Sequence, residues 1–194
     1  MRRIQRLCVY CGANKGNDPV FAEAARSLGR EAAARGVRLI YGGGSIGLMG
    51  AVSDACLEAG GEVHGIIPEH LERREVQNLK VTRLEVVQTM HQRKMRMFDE
   101  SDAFAILPGG LGTLDETFEM LTWRQLGLHD KPVVLVNIAG YWDPLLAAIG
   151  QMVRAGFVKP KHAGMLSVVE RVEDLFPALE LTPEPRPGGA IELA

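Results

Sequence analysis

Residues 103–116 read AFAILPGGLGTLDE: a short apolar run, then three glycines and a threonine, then a glutamate that opens an amphipathic helix. An apolar run that stops at glycine and resumes with helical periodicity marks a strand leading into a helix. The passage recurs along the chain. RLCVY, VRLIY, EVHGII, LEVVQ, AFAIL, VVLVN and MLSVV are strand candidates, and helical patterns separate most of them. Such alternation predicts parallel strands joined by helical crossovers, hence an α/β sandwich. No repeat or linker divides the chain, so residues 1–180 are expected to form a single domain and residues 181–194, rich in Pro and Gly, a tail.

The intervening segments carry their own stop signals. Phe21, Ala24, Ala25, Leu28 and Ala32 follow a helical period that ends at Gly36, and Leu48, Val52, Ala55, Cys56 and Ala59 follow one that ends at Gly60 and Gly61. Three strand ends are glycine-rich: YCGANKG, YGGGSIGLMG and PGGLGTLDE. In open α/β sheets ligands bind where strand ends lead into helix N-termini, and glycine lets a backbone come close to them. The loop with Gly42, Gly43, Gly44, Gly47 and Gly50 reads either as an anion cradle or as a tight strand-to-helix turn. Neither it nor the loop at Gly109 is a Walker motif or a simple dinucleotide fingerprint.

Composition narrows the partners. The 194 residues are 46% hydrophobic with a formal net charge of -2, enough for one core and without the basic field that nucleic acid attracts. No segment approaches the roughly 18 apolar residues of a membrane span, and the apolar run after the N-terminal arginines ends too soon for a secretory signal. A cytoplasmic protein without membrane or nucleic-acid partner is expected. Cys8 and Cys11 form a C-x-x-C, but on a strand residues three apart point to opposite faces, which argues against a redox pair or a metal site.

Two segments combine charge with helical pattern. Thr113 to Glu116 fits a T-x-x-E capping box, which would explain both residues without chemistry. Beyond it Leu114, Phe118 and Leu121 form one helical row; Glu116, Met120 and Trp123 form another, whose apolar part suggests cover from a second subunit. In MHQRKMRMFDE, Met90, Met97 and Phe98 define the apolar arc, with Lys94 inside it and Arg93 at its edge. Either both cations snorkel to water or both point into an anion site. His91 reads as a structural histidine or a general acid.

Together GGGSIGLMG, MHQRKMRM and PGGLGTLDE resemble the LOG family, the cytokinin riboside 5'-monophosphate phosphoribohydrolases, long labelled possible lysine decarboxylases. The resemblance spans about residues 5 to 175. It implies a Rossmann-like three-layer fold with a mainly parallel sheet, a homodimer, and hydrolysis of the N-glycosidic bond of a purine nucleoside 5'-monophosphate, either a cytokinin nucleotide or AMP, without a cofactor or metal. By matching position it implies Arg93 and Glu116 as the catalytic pair, with nucleotide contacts from Lys94, Gly110, Leu111, Gly112, Thr113, Leu114, Asp115 and Thr122, and Glu75 on the base side. The first loop departs from the family: CGAN stands where Cys-Gly-Ser-Ser is common, so contacts through two hydroxyls fall to Asn14 and backbone amides.

The residue types suit that chemistry. Glycosidic cleavage develops oxocarbenium character, which a carboxylate stabilises while it orients or deprotonates water. The helix dipole favours the anionic form of Glu116, and Arg93 offers a planar cationic fork for phosphate or ribose. A nucleotide carrier on the same scaffold would use the same loops. The decarboxylase label would require a lysine arranged for pyridoxal phosphate, and no such setting is visible in the sequence.

Overall fold

In a computed structural model, residues 2–71 and 77–182 are described. Seven strands form one parallel sheet: β1 (Arg6–Tyr10), β2 (Arg38–Tyr41), β3 (Val63–Pro68), β4 (Arg83–Val87), β5 (Ala103–Ile106), β6 (Val133–Val136) and β7 (Leu166–Val169). Their order is β4-β3-β2-β1-β5-β6-β7, with every pairing parallel. All seven strand candidates are found, and the α/β sandwich is as expected. The chain winds outward from β1 in one direction and from β5 in the other, so a crevice opens at the carboxyl ends of β1 and β5.

Alternation along β1 builds both faces of the core. Leu7, Val9 and Cys11 join the cluster beneath α1 (Pro19–Ala34), α2 (Gly47–Glu58) and α7 (Leu175–Glu180). Cys8 and Tyr10 join the opposite cluster, beneath α3 (Met90–Asp99), α4 (Leu111–Gln125) and α5 (Asp143–Arg154). Cys8 and Cys11 therefore lie on opposite sides of the sheet, as strand geometry requires. A short helix, α6 (Pro160–Ala163), leads into β7.

Local chemistry sets the helix ends. Asp18 caps α1 by accepting from Val20 N–H at 2.9 Å, with Pro19 in the first turn, and Gly36 follows its end at φ +63°. The capping box expected at Thr113 is not there. Helix α4 begins after Gly110 with no side-chain cap, so Thr113 already lies inside its first turn, buried, where a capping conformation is closed to it. The box is formed instead at the start of α3. Thr89 accepts from Gln92 N–H at 3.1 Å, and the Gln92 side chain accepts from Thr89 N–H at 3.3 Å.

Candidate active site

The three glycine-rich strand ends converge. Gly12 N–H donates to Pro108 O at 3.0 Å, and Leu48 N–H donates to Gly12 O at 3.0 Å, which ties the loop after β1 to the other two. Gly47 turns at φ +65° with its Cα against the Ala13 backbone, where a Cβ would fall 2.2 Å from Ala13 O. A cleft of about 480 Å³ opens over this junction, lined on one side by Gly12, Asn14 and Lys15 and on the other by Arg93, Gly110, Gly112, Asp115 and Glu116.

Arg93 reaches the cleft because of how α3 starts. The Thr89 box fixes the first turn, and Arg93 one turn on projects towards the loop after β2. Its guanidinium donates through Nη2 to Gly42 O at 3.0 Å, and the residue is only 5% exposed. Contact this close requires glycine: a Cβ at Gly42 would stand 1.9 Å from Nη2. Arg93 thus does not snorkel; it is held inside.

Glu116 lies in the second turn of α4, half-buried on the cleft wall. Its charge is felt beneath it. Burial first, then neighbouring Cys8 and Glu116, push the Tyr10 hydroxyl well above the usual phenol range. Burial, again with help from Glu116, pushes the Cys8 and Cys11 thiols far up. The phenol and both thiols accordingly stay protonated at neutral pH, which leaves the cysteines without the thiolate that nucleophilic chemistry needs.

Other expected residues are placed differently. Lys94 is outside the lining; its Nζ lies 3.2 Å from Asp115 Oδ2 and 3.1 Å from Glu119 Oε2, joining α3 to α4. Thr113 is buried at the loop, lining the cleft, and Leu114 packs towards the core. Leu111 is 86% exposed, and neither it nor Thr122 lines the cleft. Thr122 is six residues beyond Glu116, a turn of about 240° that carries it to another face of α4. His91 is exposed and away from the cleft. Glu75 lies outside the described residues.

The row expected to await a second subunit is covered from within. Met120 is fully buried against the sheet, and Trp123 packs edge-on against Phe98 at 5.2 Å. The exposed apolar residues of α4 are Leu111 and Phe118. Sequence reasoning also missed Tyr141, which lines the cleft beside Phe21 and donates its hydroxyl to Gly109 O at 2.6 Å. It follows the end of β6, a strand end without the glycine run that drew attention to the others.

Residues 49–179 match the family model described as "Possible lysine decarboxylase". The chain is 44% identical over 185 residues to cytokinin riboside 5'-monophosphate phosphoribohydrolase LOG1 of Arabidopsis thaliana, spanning 92% of this chain and 87% of that protein. The chain belongs to the LOG family. A LOG relative in Oryza sativa subsp. japonica, probable cytokinin riboside 5'-monophosphate phosphoribohydrolase LOGL1, is 50% identical over 157 residues, covering 81% of this chain and 70% of the relative. Among solved structures, the molybdenum cofactor carrier protein of Chlamydomonas reinhardtii superposes with a TM-score of 0.69 at 21% identity, over 92% of this chain and 97% of that one. The molybdenum cofactor binding protein of Rippkaea orientalis gives 0.69 at 22% identity, over 93% and 98%. At such identity these two structures share the fold of this LOG protein and nothing more specific. Among the described residues, no helix is long and apolar enough to cross a membrane.

Proposed function

We propose that this LOG-family protein hydrolyses the N-glycosidic bond of cytokinin riboside 5'-monophosphates, and of AMP, releasing the free purine base and ribose 5-phosphate, and that it works as a cytoplasmic homodimer. The observation that carries the reading is the meeting of Arg93 and Glu116 in one cleft at the sheet's switch point, from helices that begin 21 residues apart, at Met90 and Leu111. The relatives' names support the substrate class. Exposed Leu111 and Phe118, seven residues apart on one face of α4, support a second subunit against that helix.

In this reading the 5'-phosphate takes the uncapped N-terminus of α4, where free N–H groups and the helix dipole favour an anion. Arg93 holds ribose hydroxyls or phosphate through its fork. Water attacks C1' as the bond to the purine nitrogen breaks; Glu116 takes a proton from the water, and the departing nitrogen is protonated as the base leaves. The remote phosphate contact orients the scissile bond. Glu116→Gln is expected to cut kcat by about 10² to 10⁴ while nucleotide affinity changes little. Chromatographic release of adenine from AMP and isopentenyladenine from its nucleotide reads this. Turnover within about threefold of the parent refutes the assignment, and a parent that binds nucleotide without releasing base is a carrier.

A further inference from the structure

We infer that Tyr141, held by Asn137, is a positioning residue that presets the Gly109–Gly110 peptide for an anion at the start of α4. The inference rests on the proposed seat of the 5'-phosphate there and adds the part that orients it.

Three consecutive carbonyls of the glycine loop are each tied down. Pro108 O accepts from Gly12 N–H at 3.0 Å and Gly110 O from Leu114 N–H at 3.1 Å. Between them, Gly109 O accepts from the Tyr141 hydroxyl at 2.6 Å. The outer two bonds are backbone, and the middle one alone depends on a side chain. A trans peptide is planar with its N–H opposed to its carbonyl, so fixing Gly109 O also fixes the direction of Gly110 N–H. A glycine loop needs such a tether, because glycine keeps wide backbone freedom. A Cβ added at Gly110 or Gly112 would meet nothing within 4 Å among the described residues, so no neighbouring side chain wedges these two in place. The same open space leaves their backbone within reach of a ligand.

Tyr141 is itself held from behind. Asn137, the residue after β6, is buried and outside the cleft lining. Its backbone N–H donates to Val169 O at 2.7 Å, its Nδ2 donates to Asp143 Oδ1 at 2.7 Å, and its Oδ1 accepts from Trp142 N–H at 2.7 Å. The side chain thus buckles the turn between β6 and α5. Within that turn Ala139 sits at φ +53°, the one non-glycine residue in the left-handed region among the described residues. Gly140 follows at φ +72°, where a Cβ would stand 2.7 Å from Asp143 Oδ2. A turn that alanine enters against its preference, secured by a buried amide, delivers Tyr141 to the loop. The Tyr141 ring packs edge-on against Phe21 and Trp142, with centroids at 5.4 and 4.7 Å. A phenol has one proton to donate, and here it goes to Gly109 O, so Tyr141 acts through the loop.

Calorimetric titration of the whole chain with ribose 5-phosphate, and with adenosine, which lacks the phosphate, tests the tether. Tyr141→Phe keeps the ring and removes only the donor. It should weaken ribose 5-phosphate about tenfold, since the ligand must then order the peptide itself, and leave adenosine within about twofold. Asn137→Ala should give the same phosphate-selective loss, and the double variant should bind little worse than either single one. A purely structural role would instead weaken both ligands together or neither. A Tyr141→Phe protein that binds ribose 5-phosphate as the parent does overturns the proposal. So does an equal loss for adenosine, or losses that add in the double variant. If Asn137→Ala does not fold, the two Tyr141→Phe titrations decide alone. A parent that binds ribose 5-phosphate without hydrolysing AMP would refute the proposed hydrolysis and leave the tether standing. A parent that does not bind ribose 5-phosphate refutes the phosphate seat and the tether's role with it.

Discussion

Replacing Gly42 with alanine should disable the site while sparing the fold. The new Cβ would lie 1.9 Å from Arg93 Nη2, 3.0 Å from its Cζ and 3.1 Å from Met49 Sδ. Ordinary contact begins near 3.4 Å, so the guanidinium must retreat by roughly 1.5 Å. Arg93 is 5% exposed and bonded to Gly42 O, so it cannot move without giving up that bond. The φ of Gly42 is outside the left-handed region, so alanine adds no backbone strain. A hydrogen bond to a charged group contributes about 1.5–3 kcal/mol, which bounds the loss of stability. Misplacing a catalytic group by about 1 Å costs about 10² in rate, so kcat/KM for base release should fall about a hundredfold. Because both changes act through one guanidinium, Gly42→Ala added to Arg93→Ala should cost little more than Arg93→Ala alone. Gly150→Ala, in α5 with its nearest neighbour at 3.5 Å, is the control and should keep full activity. A Gly42→Ala protein within about threefold of the parent's kcat/KM refutes the claim that Arg93 must sit against that carbonyl.

Two further outcomes test stability and thiol chemistry. Burial raises the Asp102 carboxyl, but the Arg6 guanidinium at 2.8 Å and the Gln5 and Arg6 N–H groups outweigh it, leaving its pKa below the usual value. A depressed folded pKa stabilises above the unfolded value near 3.9, and that contribution disappears as pH falls through the lower folded value. Asp102→Asn should therefore cost about 1–2 kcal/mol in urea unfolding at pH 7, with the gap closing as pH falls below the unfolded carboxyl value and through the lower folded one; a gap independent of pH contradicts this. Cys8, Cys11 and Cys56 are buried, and burial pushes the Cys56 thiol up to about 11, so Ellman's reagent should label none of the three in native protein at pH 8 and all three in guanidinium. Fast native labelling of Cys11 would show that the loop after β1 opens.

The strands were legible because each is a short β-branched run closed by a turn, a pattern that local chemistry alone produces. The sandwich followed because helical segments separate most of them. The capping box was misread for a physical reason: T-x-x-E and T-x-x-Q look equally good in the sequence, and only the entry angle of each chain segment decides which threonine has the extended backbone of a cap. At Thr113 the glycines let the helix begin three residues early; at Thr89 the chain arrives extended from β4. The fate of the two cations was illegible for another reason. A helical wheel shows which side an arginine leaves the helix, but whether it is buried depends on what stands opposite. The answer for Arg93 is a glycine 51 residues earlier, and for Lys94 two carboxylates on another helix.

The burial of Arg93 bears on why the site has this form. A guanidinium taken out of water and set against a carbonyl is a poor stabiliser, because desolvation consumes most of what the hydrogen bond returns, and an apolar side chain of similar volume would generally serve the fold better. What the arrangement does supply is a charged fork already desolvated and fixed before a ligand arrives, so little reorganisation is needed when charge develops in the cleft. The parallel sheet makes this available. Since β1, β2 and β5 are adjacent and point the same way, a carbonyl after β2, a helix start after β5 and a loop after β1 meet at one edge. Helix α3, leaving the far edge strand β4 and crossing back to the centre, carries Arg93 to that meeting point. The fold supplies the convergence, and the residues placed there supply the chemistry.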